Sequence, residues 1–198
     1  MKLFFCILTS FNISIGAAQL TIAIQPFENV DTNQLLPLLQ LISKEYNNAA
    51  IKILSPLPLP QSAFYKPRNR YRAEKLLEFL DSLNNGNYDR VVGFTKKDIS
   101  TTKDEYDDWG IFGLGNLNGY SCVVSTFRLK KDGNSNKYSD RLLKIIIHEL
   151  GHTFGLYHCD WRYCIMTDYK GSIQPLDIQW FHLCAPCRQY FRKHFVLE

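Results

Sequence analysis

Apolar and polar positions change their spacing several times along the chain, and each change marks an element. Leu20 to Gln25 alternates in a β-branched context and stops at Pro26, which predicts a strand. Asp31 stands three residues before Gln34 at capping-box spacing, and Leu35, Leu36, Leu38, Leu39, Ile42 and Tyr46 follow at helical intervals, with Pro37 placed for a first turn. Ile51 to Ile53 predicts a second strand, ended by the alternating prolines of Ser55 to Pro60. Tyr71 to Leu83 carries Leu76, Leu77, Leu80 and Leu83 on one side and meets Gly86 just beyond, the pattern of a second amphipathic helix.

Arg90 to Phe94, with Val91 and Val92, suits a buried strand. Strand, helix, strand, helix, strand is the order of an α/β sheet with crossover helices. Ile111 to Leu114 and Ser121 to Phe127 predict two more strands, separated by the turn-rich Asn116 to Gly119. The second of these runs is either an edge strand that pairs with an extended peptide or an ordinary sheet strand. Gly113-Leu114-Gly115 lacks the third glycine and the helix of a dinucleotide loop, so it reads as strand and turn chemistry. The stretches Ser55 to Lys66 and Lys96 to Asp108 are expected as loops.

Length agrees with one packed unit: 198 residues, 45% hydrophobic and 21% charged, make neither a disordered chain nor two full domains. The net charge of +4 is too small to point to nucleic acid, and no partner of that kind is expected. Met1-Lys2, the apolar Leu3 to Phe11 and the small Gly16-Ala17-Ala18 read as a signal peptide over residues 1–18, with the folded domain over 19–198. A secreted or periplasmic protein is expected on that reading; the alternative is a cytoplasmic protein whose first residues form an ordered strand. No segment is long enough to span a bilayer. A monomer is expected.

The chemistry concentrates late in the chain. Arg141 to Phe154 predicts a buried helix, apolar nearly all round and capped by Ser139-Asp140. His148 and His152 lie four residues apart on it, so their imidazoles share one side, with Glu149 between them. Gly155 allows a left-handed turn that returns His158 to the same point. Three neutral histidines suit one zinc ion with a fourth position left for water, and Glu149 is placed to take that water's proton. Cys159, Cys164, Cys184 and Cys187 crowd into the last fifth of the chain. From the residues alone they are a metal site, two disulfides (Cys159/Cys164 and Cys184/Cys187) or, at Cys184 to Cys187, a redox pair.

Residues His148 to Cys187 read HELGHTFGLYHCDWRYCIMTDYKGSIQPLDIQWFHLCAPC. The segment resembles the archaemetzincin signature, H-E-x-x-H-x-x-G-x-x-H-C-x4-C-x-M-x17-C-x-x-C, at every defined position. Weaker likeness at IQPF (Ile24 to Phe27), YRAEKLL (Tyr71 to Leu77) and FGLGN (Phe112 to Asn116) extends it over most of the chain. The resemblance implies a zincin-like metzincin fold of the mixed α/β (α+β) class: a twisted mixed sheet, an active-site helix and a C-terminal segment stapled by a four-cysteine zinc. It implies a peptidase holding two zinc ions, with His148, His152 and His158 on the catalytic ion, Glu149 as general acid/base and Met166 in a hydrophobic turn beneath the metal. Cys159, Cys164, Cys184 and Cys187 would hold the structural ion.

Some residues stay open. Tyr169 is core or rim, or a group that reaches the substrate oxyanion. Cys122 reads as a buried apolar filler, Arg188, Arg192 and Lys193 as a solvated face, and His182 and His194 as structural or surface residues. The rival to a peptidase acting on peptide or protein substrates is a zinc-stabilised binding module with little or no turnover, against which the intact Glu149 argues.

Overall fold

The computed structural model describes residues 19–129 and 137–196. The segment read as a signal peptide lies outside them. A five-stranded sheet forms the centre, built from β1 (Thr21–Pro26), β2 (Ala50–Ile53), β5 (Arg90–Thr95), β8 (Gly113–Gly115) and β9 (Ser121–Ser125) in the order β2-β1-β5-β9-β8. All neighbours are parallel except β8, which runs antiparallel to β9.

Both faces are covered, which is why the strands read as apolar runs. Alternate residues serve different cores. Ile22, Ile24, Val92, Phe94, Cys122 and Val124 face α1 (Leu36–Glu45) and α3 (Tyr138–Thr153). Ala23, Val91 and Val123 face α2 (Ala73–Asn84). Cys122 is fully buried, as its apolar reading expects.

Of the two alternatives for Ser121 to Phe127 the ordinary sheet strand holds: β9 lies between β5 and β8, and the short β8 is the edge. Three departures from the sequence reading have local causes. Lys96 to Asp108 is not a loop but most of a hairpin, β6 (Ile99–Lys103) with β7 (Tyr106–Ile111). Together with β3 (Phe64–Tyr65) and β4 (Arg70–Arg72) it makes a second sheet, β3-β4-β6-β7. Its polar strands hide their pairing because charge partners replace apolar packing: Asp98 accepts from Arg70 and Arg128, and Asp108 from Arg70. Tyr71 belongs to β4, so α2 starts at Ala73.

Finally, α3 begins at Tyr138, and its N-cap Lys137 makes no side-chain cap bond. The start is held instead by α4 (Ile173–Ile178), where Asp177 accepts from Arg141 Nε at 2.7 Å and Nη2 at 2.8 Å, and from Lys137 Nζ at 2.9 Å. The Arg141 side chain is 1% exposed. Its hydrogen bonds hold the Asp177 carboxyl below the usual range. Asp177→Asn is expected to cost about 3 kcal/mol at neutral pH, because a buried guanidinium loses its counter-charge. A carboxyl with a lowered folded pKa stabilises above its unfolded value, near pH 4, and loses that contribution as pH falls through the folded value. Denaturant titrations should therefore show the wild-type advantage shrinking below about pH 4.

The chain ends with α5 (Ala185–Phe195), whose Phe191 packs edge-on to Tyr46 and Phe154. Arg90 lies 4.2 Å from the Phe154 ring centroid and 5.5 Å from that of Phe195. Among the described residues no helix is long and apolar enough to cross a membrane.

Candidate metal centre and active-site cleft

The last two turns of α3 bring His148 and His152 to one side, and Gly155, at φ 75°, folds the chain back so that His158 joins them. Three ring-centroid separations of 4.7, 5.4 and 4.9 Å describe the cluster. The backbone sets the tautomers. Nδ1–H of His148 donates to the Ile165 carbonyl at 2.7 Å, and Nδ1–H of His152 donates to the Leu156 carbonyl at 2.8 Å. Both Nε2 atoms are thereby left as lone pairs, 3.1 Å apart. Two lone pairs so close repel unless a cation lies between them, and the edge of a tetrahedral zinc site with nitrogen ligands is about 3.3 Å. Burial, and then the neighbouring histidine, push His148 well below its ordinary pKa; burial brings His152 to about 4. The His148 and His152 imidazoles are therefore neutral donors at pH 7, as a metal requires. His148 is buried, His152 intermediate and His158 exposed, so the cluster opens towards solvent.

Glu149 lies beneath β8. Its carboxylate accepts the Gly115 N–H, and burial raises its pKa to about 8 against that bond. A dication at the histidines acts in the opposite direction. The glycines of β8 make this approach possible: a Cβ at Gly113 would sit 2.6 Å from Glu149 Cγ, and one at Gly115 would sit 2.3 Å from the Glu149 carbonyl oxygen. Gly151 does the same on the other side of the helix, since a Cβ there would meet Met166 Sδ at 2.4 Å. Gly151→Ala is expected to cost about 1–3 kcal/mol by overpacking the Met166 turn, seen as a lower denaturation midpoint with the slope unchanged.

Tyr169 takes the core role. Its ring lies 4.3 Å from that of His148 on the cleft floor, and its buried hydroxyl donates to the Lys144 carbonyl at 3.4 Å.

The four cysteines form a second cluster. Cys159 and Cys184 Sγ are 3.8 Å apart, as are those of Cys164 and Cys187, and all four lie within 4.8 Å. A disulfide needs about 2.05 Å, whereas the edge of a tetrahedral zinc–thiolate site is about 3.8 Å. The close pairs also cross the pairing that sequence proximity suggests. Cys164 Sγ accepts the N–H groups of Met166 and Cys184 and lies 3.8 Å from Cys187 Sγ; the Cys187 contact first, and then those N–H groups, bring its pKa to about 5, and the same contact pushes Cys187 up. Backbone donors aimed at sulfur favour thiolate, the form that binds metal.

The two clusters share backbone. Cys159 follows His158, the Cys159 N–H donates to the Met166 carbonyl, and Ile165, whose carbonyl orients His148, donates its own N–H to the His182 carbonyl. Glu45, at the end of α1, accepts from Leu183 N–H and Arg188, tying the cysteine segment to the main core. His182 is a largely exposed neighbour of that carboxylate, 3.6 Å away.

Comparison with known proteins adds to this geometry. The profile of peptidase family M54 matches residues 57–193. This chain belongs to that family. It is 34% identical to the archaemetzincin of Haloquadratum walsbyi over 139 residues, 66% of this chain and 76% of the relative. The crystal structure of archaemetzincin from Methanopyrus kandleri superposes with a TM-score of 0.77 at 28% identity, covering 89% of this chain and 95% of that one. That of the Archaeoglobus fulgidus protein, complexed with malonate, gives 0.72 at 27% identity over 86% and 99%. The family carries zinc-dependent peptidase activity, so this M54 chain is a zinc metallopeptidase and its fold is the mixed α/β zincin type that the signature implied.

A cleft of about 410 Å³ runs over the histidines and Glu149. Its walls include Trp109, Tyr157 and Asp168, none of which stands in a motif. FGLGN was a sequence trace of the cleft wall, and its glycines make sense once β8 is seen against α3.

Proposed function

We propose that this chain hydrolyses peptide bonds in the cleft above α3, with His148, His152 and His158 holding a catalytic zinc and Glu149 as general acid/base. The observation that carries the reading is the convergence of two tautomer-locked imidazoles and a third histidine beside a buried carboxylate, under an open sheet edge. Zinc at the three imidazoles supplies a Lewis acid that acidifies a water molecule and polarises the scissile carbonyl.

The chain's own groups do the rest. The β8 edge, which has no strand neighbour on its far side among the described residues, offers main-chain hydrogen bonds to an extended peptide. Glu149 Oε takes a proton from the attacking water as its oxygen bonds to the carbonyl carbon, then delivers that proton to the departing amine nitrogen as the C–N bond breaks. Tyr169 and the Ile165 carbonyl keep the His148 ring oriented, and Met166 fills the floor through Gly151. Cys159, Cys164, Cys184 and Cys187 would hold a second zinc ion, which would staple the C-terminal segment. Export through residues 1–18 belongs to the same proposal; an N-terminus near Gln19 in protein recovered from cells supports it, and an intact Met1 refutes it.

The test combines metal analysis with a peptide library read by mass spectrometry. Two zinc ions per full-length chain are expected, with cuts that vanish on chelation and return with zinc. One zinc per chain would refute the two-ion reading. No zinc-dependent cut from a chain loaded at the histidines would favour the binding module.

A further inference from the structure

The cleft is mostly apolar, walled by Trp109, Ile111, Phe112, Leu114, Leu117 and Tyr157. Besides Glu149 it contains one carboxylate, Asp168, and one side-chain ammonium, Lys103. The two charges differ in setting. Lys103 is exposed at the end of β6, with its Nζ over the Trp109 ring. Asp168 is half-buried in the cleft wall, two residues after Met166 and next to Tyr169, whose ring packs against His148. Its Oδ1 accepts the Lys170 N–H at 2.8 Å, and the carboxylate has no ion-pair partner among the described residues. A fixed negative charge in an apolar wall, with its second oxygen uncommitted, favours a cation brought by a ligand.

The wall beside it fits the stem of such a ligand. Lys170 and Gly171 are both left-handed, with φ of 50° and 69°, and the turn they make lies under Trp109. A Cβ at Gly171 would be 3.2 Å from Trp109 Cζ2, so the bare glycine lets the indole stand directly next to the Asp168 turn. An aromatic face beside a carboxylate accommodates a long basic side chain, methylenes along the ring and charged head on the oxygens. Lys103 shows that the ring accepts such a group: its Nζ lies 5.6 Å from the Trp109 centroid.

We propose that Asp168 sets the side-chain specificity of the cleft, selecting peptides with lysine or arginine close to the bond that is cut, the stem along Trp109. The inference rests on the peptidase reading above. Asp168 shares one cleft with the three histidines and adjoins the tyrosine packed on His148, which places it within a residue or two of the reacting carbonyl.

The experiment uses N-acetylated peptides with Lys, Arg, norleucine or Glu at each position around the cut, given to the zinc-loaded full chain. Binding of the same peptides to Glu149→Ala, which should hold them without cutting, is read in parallel by calorimetry. A preference of roughly ten- to hundredfold for Lys or Arg over norleucine is expected, the range of one charge-assisted hydrogen bond. Asp168→Asn should bring that ratio close to one, and Asp168→Lys should turn it towards Glu, a gain that a merely misfolded variant cannot show.

Unbiased cutting by wild type would overturn the proposal, as would a bias that survives Asp168→Asn or is abolished by Lys103→Met alone. A bias seen only when the peptides keep a free α-amine would also overturn it, assigning Asp168 to the chain terminus. If wild type cuts no peptide and Glu149→Ala binds none, the peptidase reading itself fails, an outcome distinct from cutting without bias.

Discussion

Glu149→Ala is expected to lower kcat/KM for peptide hydrolysis by about a thousandfold, in the middle of the range for losing a positioned general acid/base. The residue is 5% exposed, and its carboxylate is held by the Gly115 N–H. Among the described residues no carboxylate joins the three converging histidines, and Glu149 and Asp168 are the acids that line their cleft. Asp168, the other acid of the cleft, is tied to the Lys170 turn. Glu149→Gln preserves shape and should lose nearly as much, because an amide cannot accept and return a proton. Zinc content at the histidines should stay close to wild type in both variants, since Glu149 is not one of the converging donors. Activity within tenfold of wild type, with metal retained, would show that another group moves the proton.

The second large effect is expected from Cys184→Ser. A thiolate shell that loses one of four ligands binds zinc far more weakly, and in a metal-stapled segment that loss falls on folding. A cost of about 3–5 kcal/mol is expected, by analogy with breaking a buried charged cluster, which lowers Tm by roughly 10 °C in a domain of this size. The effect should not stay local. Cys184 donates its N–H to Cys164 Sγ, which also takes the Met166 N–H, and between them lies Ile165, whose carbonyl orients His148. Loosening the thiolates therefore disturbs both His148 and, through Cys159, His158. Metal analysis should show zinc lost from the histidine site as well. A variant that lowers Tm but keeps full occupancy there would separate the two clusters.

Much of this was legible in the order of residues. Leu20 to Gln25 announced a strand by its alternation and Arg90 to Phe94 a buried one by its apolar run, which a covered sheet face demands. Helical spacing put His148 and His152 on one side and Gly155 promised the return of His158, since both depend on local geometry. The β6–β7 hairpin stayed hidden because Asp98 and Asp108 are satisfied by Arg70 and Arg128, distant in sequence. Nor did Ser121 to Phe127 reveal that a three-residue strand with two glycines would lie outside it.

Sequence alone, through the spacing of histidines, cysteines and Met166, determined which donors exist and which family they belong to. Those features repeat at fixed intervals because one helix and one turn impose them. Only the tertiary structure decided the rest: that Ile165 and Leu156 carbonyls select the imidazole tautomers, that Gly113, Gly115 and Gly151 admit close contacts to the helix, and that Asp168 and Trp109 line one cleft with Gly171 against the indole. These relations join residues brought together by packing of the whole chain, and a contact made across the fold leaves no period in the sequence.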